Sequence, residues 1–221
     1  MTQAKNAKNL RVNIGCGRTP TEGWLNFDNS PSLKLARRPL LVGILKACMM
    51  LKKEQVENIE WNRRNAIQFA DASKIPLSSD SVSVLYSSHM FEHLNFDVRD
   101  SFLKEAFRVL ESGGILRLAV PDLKMRIEKY NTDGDADSFM KSLRVTPKVG
   151  TSFIDKFKFA LIGHRGHKWM YDGKSLSKIL ADAGFVNIQI MAPNDTKIPN
   201  PGSLDLAERK SESVYVEAVR G

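Results

Sequence analysis

The sequence predicts an α/β fold built on an open, largely parallel sheet, and three observations carry that prediction. Strand-like and helix-like patterns alternate from residue 10 to residue 121, the order that βαβ units require. Two short apolar runs each end on an aspartate, Asp28 and Asp71, and the first run follows a glycine turn, Gly15-Cys16-Gly17. In open α/β sheets ligands bind outside the carboxyl ends of the strands, where those residues would gather. The 221 residues are enough for one domain with a sizeable core, expected over 1–221 with a helical insert or lid around 123–170.

Residues 10–14 form the first strand and 24–28 the second. Gly15 and Gly17, without a Cβ, let the backbone turn sharply and approach a ligand closely. Asp28 can accept hydrogen bonds from two vicinal hydroxyls, as a ribose offers, so the turn reads as a nucleoside site. A dinucleotide is disfavoured. The third glycine of G-x-G-x-x-G would fall at Pro20, and the acidic residue arrives well short of that motif's spacing of about 20 residues. Between Gly17 and Trp24 there is no room for a crossover helix, since a parallel connection normally takes a dozen or more residues. Either the crossover has shrunk to a turn, or the two strands are not parallel neighbours.

Pro39 opens a helix through Leu40, Leu41, Ile44, Leu45, Met49 and Leu51. It is too short for a bilayer, which takes about 20 residues. Its apolar content reads as a core helix; the alternative is a membrane-surface helix flanked by Arg37, Arg38, Lys52 and Lys53. Residues 66–70 form a third strand and 82–87 a fourth, followed by the polar cluster Ser88 to His93. A helix over 97–111 places Phe102, Leu103, Ala106, Phe107 and Leu110 on one face, with Gly113 as its C-cap. Residues 114–120 form the fifth strand. Helical pieces and loops fill 123–170, a helix follows at 174–183, and 185–191 is a sixth strand. The loop 192–212 is rich in Pro, Asn and charge, and 213–219 closes the chain as a seventh strand.

Hydrophobic residues make up 42% and charged residues 26%, ordinary for a soluble globular protein. The two cysteines, Cys16 and Cys48, offer no disulfide framework and no C-x-x-C pair, which suits a reducing cytosol. The first ten residues lack an apolar signal-peptide core, so a cytoplasmic location is expected. Net charge is +8, concentrated in Lys141, Arg144, Lys148, Lys156, Lys158, Arg165 and Lys168 against Asp155 alone. Such a block solvates a surface or attracts an anionic substrate, nucleic acid or lipid headgroup layer.

Several separated pieces together resemble the class I S-adenosylmethionine-dependent methyltransferases, closest to the small bacterial type 11-like methyltransferase-domain proteins. They are Val12 to Gly17, Trp24 to Asp28, Ala70-Asp71-Ala72, Ser87 to Leu94, Arg108-Val109-Leu110 with Gly113 to Leu116, and Ala183-Gly184-Phe185. The resemblance covers residues 10–121 and 171–219. It implies a Rossmann-like sheet of about seven strands, helices on both faces, and a last strand inserted antiparallel between the fifth and sixth. It also implies S-adenosyl-L-methionine as cofactor. Gly15 and Gly17 would pass its methionine part over the first turn, which Asn13 and Cys16 complete. Asp28 would hold the ribose, Asp71 the adenine amino group, and the Ala72 backbone a ring nitrogen. Ser87 and Ser88 would line the methionine side. The chain departs from the family at Asn13, where an acidic residue is common, and at Thr19, where a third glycine is common.

Methyl transfer from a sulfonium is an in-line displacement, so the protein mainly positions the acceptor and, for a hydroxyl, removes its proton. His89, at the cofactor edge, is the candidate base. His164 and His167, in the run His164 to Tyr171, are candidates for a lid over the acceptor. No metal site is expected, because the histidines have no cysteine partner and no i, i+4 pair on one helix; Asp122 has no companion carboxylates for magnesium. The expected reaction is methyl transfer to an oxygen of a small or polymeric acceptor; the resemblance implies a saccharide or glycan-type acceptor, and the basic insert would face a phosphate or carboxylate on it. A nucleic-acid methyltransferase is the first rival, disfavoured because no Asn-Pro-Pro-Tyr-type motif or RNA-binding module is present. A non-catalytic nucleoside-binding protein of the same fold is the second. Peripheral membrane contact stays open as a partner, and the sequence leaves the oligomeric state undetermined.

Overall fold

The computed structural model describes residues 9–145 and 166–221. His164 and the basic residues Lys148, Lys156, Lys158 and Arg165 lie outside them. Seven strands form one sheet: β1 (Leu10–Ile14), β2 (Leu25–Asp28), β3 (Ile67–Phe69), β4 (Val82–Ser88), β5 (Leu110–Pro121), β6 (Phe185–Met191) and β7 (Ser213–Arg220). Their order is β3-β2-β1-β4-β5-β7-β6. The five strands from β3 to β5 run parallel, and β7 pairs antiparallel with both β5 and β6. This is the Rossmann-like class I arrangement, with the last strand between the fifth and sixth.

β1 and β2 are parallel neighbours, in register from Val12–Leu25 to Ile14–Phe27. The crossover has therefore shrunk to the loop 15–24. Asn13 and Asn26 make that possible by bonding the loop from the strands. Asn13 Nδ2 donates to Thr19 O and Thr21 Oγ1, and Asn26 exchanges bonds with the Thr21 N–H and C=O while donating to Trp24 O.

The strands alternate cleanly between the two faces of the sheet. Leu116, Leu118 and Val120 of β5 join Val214, Val216 and Ala218 of β7 on one face. Two helices cover them. α4 (Phe96–Val109) buries Phe102, Leu103, Ala106 and Val109, and α7 (Gly173–Asp182) buries Leu176 and Leu180. Both helices have capped N-termini: Asn95 accepts from Val98 N, and Asp172 accepts from Ser175 N. α4 ends at Val109 with Leu110 as C-cap, not at Gly113, because residue 110 already pairs with Val82 of β4. Gly113, at φ +80, instead turns the chain inside the long β5 element.

On the opposite face α1 (Pro31–Ala36) and α3 (Lys53–Arg64) cover the β3 edge through Leu33, Trp61, Ile67 and Cys16. The centre of that face carries Trp24, Val84, Tyr86, Ile115, Ala119 and Tyr215, which pack against Ile198 and Leu204 from the loop 192–212. Irregular chain, not a helix, lies there.

α2 (Pro39–Ala47) corrects the reading of a core helix. Only Val42 is buried, while Leu40 is 85% exposed and Ile44 61%, with Met49 and Met50 exposed just beyond. Apolar content dictated burial only if a neighbour existed to receive it, and α1 and α3 receive one side chain. α5 (Leu123–Asp133) and α6 (Ala136–Leu143) fall where helical pieces were expected. Among the described residues no helix is long and apolar enough to cross a membrane.

Candidate active site

The carboxyl ends of β1, β2, β3 and β4 meet at one edge, and the expected cofactor residues gather there. Gly15 N and Cys16 N both donate to Phe27 O, at 2.8 and 3.1 Å, which hangs the glycine turn on the end of β2. Asp28 then clasps two segments. Its Oδ2 accepts from Gly17 N at 2.9 Å, and its Oδ1 accepts from Ser30 N at 2.6 Å, the residue before α1. Ala70 N donates to Asp28 O at 3.2 Å, so Asp71 stands one residue past a direct backbone link to Asp28. Asp71 bonds the N–H and hydroxyl of Ser73, both through Oδ1. Each carboxylate retains acceptor capacity for a ligand.

The two glycines differ in what their missing Cβ permits. At Gly15, φ +73, a Cβ would lie 2.5 Å from Met90 Cγ, so its bareness admits a side chain from the loop after β4. At Gly17, φ +51, the same position faces open space, leaving this turn free for close approach by a ligand. Asn13 and Cys16 contribute differently from expectation. Asn13 is 1% exposed and its side chain is turned into the loop it tethers. The Cys16 thiol is buried among Leu33 and Ile67, and burial next to the Asp28 charge pushes it up to about 12, so it stays protonated. Only the backbones of these two could reach a cofactor.

At the end of β4, Ser87 presents a buried hydroxyl without a hydrogen-bond partner, while Ser88 lies against the Tyr86 hydroxyl. Buried polar atoms are normally satisfied, so the Ser87 orphan at the sheet's ligand edge fits a polar group bound beside it. Ala72, one residue beyond Asp71, is buried at the same edge.

His89 is placed otherwise than a base requires. The ring is turned into the protein: Nε2 lies 2.8 Å from Ser213 Oγ, and Nδ1 lies 3.5 Å from Glu92 Oε1. His89 holds a left-handed backbone, φ +49, and both ring nitrogens lie against protein groups. His93 Nε2 and His167 Nε2 also approach Glu92 Oε1, at 3.6 and 3.9 Å. Burial lowers the His167 pKa, while the Glu92 charge pulls it back up. The segment from Gly166 to Tyr171, the described part of the expected lid, is stitched to this cluster. Lys168 N and Trp169 N both donate to Glu92 O, and Tyr171 bridges to Asp122.

Several of these contacts left no mark in the sequence. Met90 over Gly15 is one. Glu208 is another, from the loop 192–212: its Oε2 accepts from Tyr86 OH at 3.0 Å and its Oε1 from Thr19 Oγ1 at 3.3 Å. A carboxylate inside a polar loop carries no signal of that placement.

Residues 35–118 match a family model described as a methyltransferase domain. The matched stretch includes Asp71 and the segment Ser87 to His93, and begins after Asp28 and the glycine turn. No curated protein matches the chain. Among solved structures, an S-adenosylmethionine-dependent methyltransferase from Methanosarcina mazei is similar at 14% identity and a TM-score of 0.51, covering 98% of this chain and 94% of that one. A second, from Thermotoga maritima and described as a possible histamine N-methyltransferase, has 14% identity and a TM-score of 0.50, covering 98% and 84%. At such identities the likeness is one of fold.

Proposed function

We propose that this chain is a class I, S-adenosylmethionine-dependent methyltransferase and that it methylates an oxygen of an anionic, saccharide-type acceptor. The observation that carries the cofactor assignment is the backbone bond from Ala70 to Asp28, which sets Asp28 and Asp71 side by side at the ligand edge. When bound, S-adenosylmethionine supplies an electrophilic methyl group on a sulfonium. Asp28 accepts the two ribose hydroxyls, its carboxylate already held by Gly17 N and Ser30 N in one orientation. Asp71 takes the adenine amino group, and the Ala72 backbone a ring nitrogen. Gly17 lets the methionine part pass close to the turn, and Ser87 and Ser88 meet its polar end. The chain's own contribution to the chemistry is therefore positioning, which keeps the acceptor oxygen in line.

The acceptor class is supported by charge and surface. The chain has 33 Lys and Arg against 25 Asp and Glu, which favours an anionic partner. The exposed apolar residues Leu40, Ile44 and Met49, bordered by exposed Arg37, Arg38, Lys52 and Lys53, suit an acceptor presented at an anionic membrane surface.

S-adenosylhomocysteine is expected to raise the melting temperature, and NAD is not; no shift at millimolar S-adenosylhomocysteine would sink the cofactor assignment. Asp28→Ala should weaken that binding by about ten- to a hundredfold, the loss of charged hydrogen bonds worth about 1.5–3 kcal/mol. With methyl-labelled cofactor and fractionated cell extract, label should enter membrane-associated saccharide. Label found only in nucleic acid or in amines would overturn the acceptor class.

A further inference from the structure

Methyl transfer as described above makes no use of the cluster His89, Glu92, His93 and His167. Glu92 sits at its centre, 1% exposed, and among the described residues neither of its oxygens accepts a hydrogen bond. A carboxylate withdrawn from water without a partner is costly, so some compensating group is required. The neighbouring imidazoles, in their neutral forms, cannot be that group. Ser213 Oγ spends its hydrogen on Arg209 O at 2.9 Å, so it accepts from His89 Nε2, and the proton of that ring lies on the outer nitrogen. His89 Nδ1, bare and without a partner, faces Glu92 at 3.5 Å. His93 repeats the pattern: Nδ1 lies 3.1 Å from Gly166 O, which can only accept, so the lone pair of Nε2 points inward. Two bare nitrogens thus face a bare carboxylate, an arrangement that repels itself unless a proton or a metal cation stands among them.

The geometry points to a binding site for a first-row divalent cation of zinc's class, held by Glu92 Oε1, His93 Nε2 and His167 Nε2. One donor atom from each of these residues lies within 4.8 Å of the other two. Ligands about 2.0–2.1 Å from zinc at tetrahedral angles stand about 3.3–3.4 Å apart. His93 Nε2 and His167 Nε2, at 3.6 and 3.9 Å from Oε1, need only small side-chain movements to meet that spacing. Imidazole with a single carboxylate suits zinc and its neighbours better than magnesium or calcium, which prefer oxygen alone. The bond from His93 Nδ1 to a backbone carbonyl is the outer support that a metal-bound histidine usually has. The His93 side chain, 39% exposed, provides an entry path from solvent.

The expectation of no metal rested on the lack of a histidine pair along one helix. Here the ligands come from a 3-10 turn, Phe91–His93, and from a segment brought beside it by the bonds of Lys168 N and Trp169 N to Glu92 O. A cation at this point would fasten Gly166 to Tyr171 onto the loop after β4, at the edge where the acceptor must enter.

The test uses the full chain, stripped with chelator and titrated with zinc sulfate. Calorimetry should show one equivalent bound, and the melting temperature should rise about 5–10 °C at a hundredfold excess over Kd. Glu92→Gln and His93→Ala should each weaken zinc binding by at least about tenfold. His93 is part-exposed, so His93→Ala should fold, and a melting shift with S-adenosylhomocysteine checks that it has. Stripped wild type giving neither heat nor shift with zinc would overturn the site, as would His93→Ala binding zinc as tightly as wild type.

Discussion

The two faces of the sheet are closed by different physics. On the face under α4 and α7, the central strands offer mainly apolar side chains such as Leu118 and Val216, each 0% exposed. Helices satisfy their own backbone, so that face needs nothing but fitted area. Over the centre of the other face lies irregular chain, whose own turns pair only some of its N–H and C=O groups. The same strands meet that need with a few polar side chains set among the apolar ones on that face. Arg11 donates to Pro199 O and Asn200 O. Arg117 donates to Asp195 O and Leu206 O, and Glu217 accepts from Thr196 Oγ1 and Lys197 N. Asn13 and Asn26 do the same for the loop that replaces the first crossover helix. A helix lost from this fold is thus replaced by side chains acting as partners for backbone.

The largest effect should come from breaking the pair at the centre of the polar face. Arg117 and Glu217 face each other across β5 and β7 at 2.6 Å, both buried. Arg117→Ala leaves a buried carboxylate without its cation and should cost about 3–5 kcal/mol in urea unfolding. Leu118→Ala, one residue along on the helix face, should cost a comparable 2–5 kcal/mol, roughly, by leaving a cavity. The two are separable by limited proteolysis, since only the Arg117 variant should expose 192–212 to cutting. A double variant, Arg117→Met with Glu217→Leu, sharpens the contrast. Buried ion pairs replaced by apolar side chains often lose nothing. Here Asp195 O, Leu206 O and Lys197 N lose partners as well, so the double variant should remain at least about 2 kcal/mol less stable. A double variant as stable as wild type would show that the pair does not support the loop.

The helix face was legible in the sequence and the polar face was not. Period-2 and period-3.6 patterns record burial along one element, and they place β1 at 10–14, β6 at 185–191 and the buried stripe of α4. The aspartates at strand ends were readable for the same reason: the strands are short and their ends are marked. The loop 192–212 carries turn chemistry that reads as exposed, yet Ile198 and Leu204 are buried and Arg117 reaches its carbonyl from 78 residues away. Nothing local encodes such a bond. The exposed side of α2 failed in the opposite direction, because apolar composition cannot say whether a covering element exists. The convergence of His93 and His167 on Glu92 depends on two loops meeting in space, and spacing along the chain hides it.

The smallest effects test whether burial or the count of bonds sets the cost on the polar face. Asn26, buried, makes three bonds to backbone groups of Thr21 and Trp24. Asn26→Ala leaves those groups desolvated and should cost about 1–3 kcal/mol. Arg11 makes two bonds to loop carbonyls, at 2.6 and 2.7 Å, shorter than those of Asn26, but its contacts are open to solvent. In Arg11→Ala water can take the place of the guanidinium on Pro199 O and Asn200 O, so unfolding should become easier by at most about 1 kcal/mol. The guanidinium over the Trp24 ring, 5.8 Å from its centroid, adds only a modest exposed contact. Equal losses for Arg11→Ala and Asn26→Ala in urea unfolding would mean that bond length outweighs burial. Partnering of loop backbone would then be no more demanding at the centre of this face than at its rim.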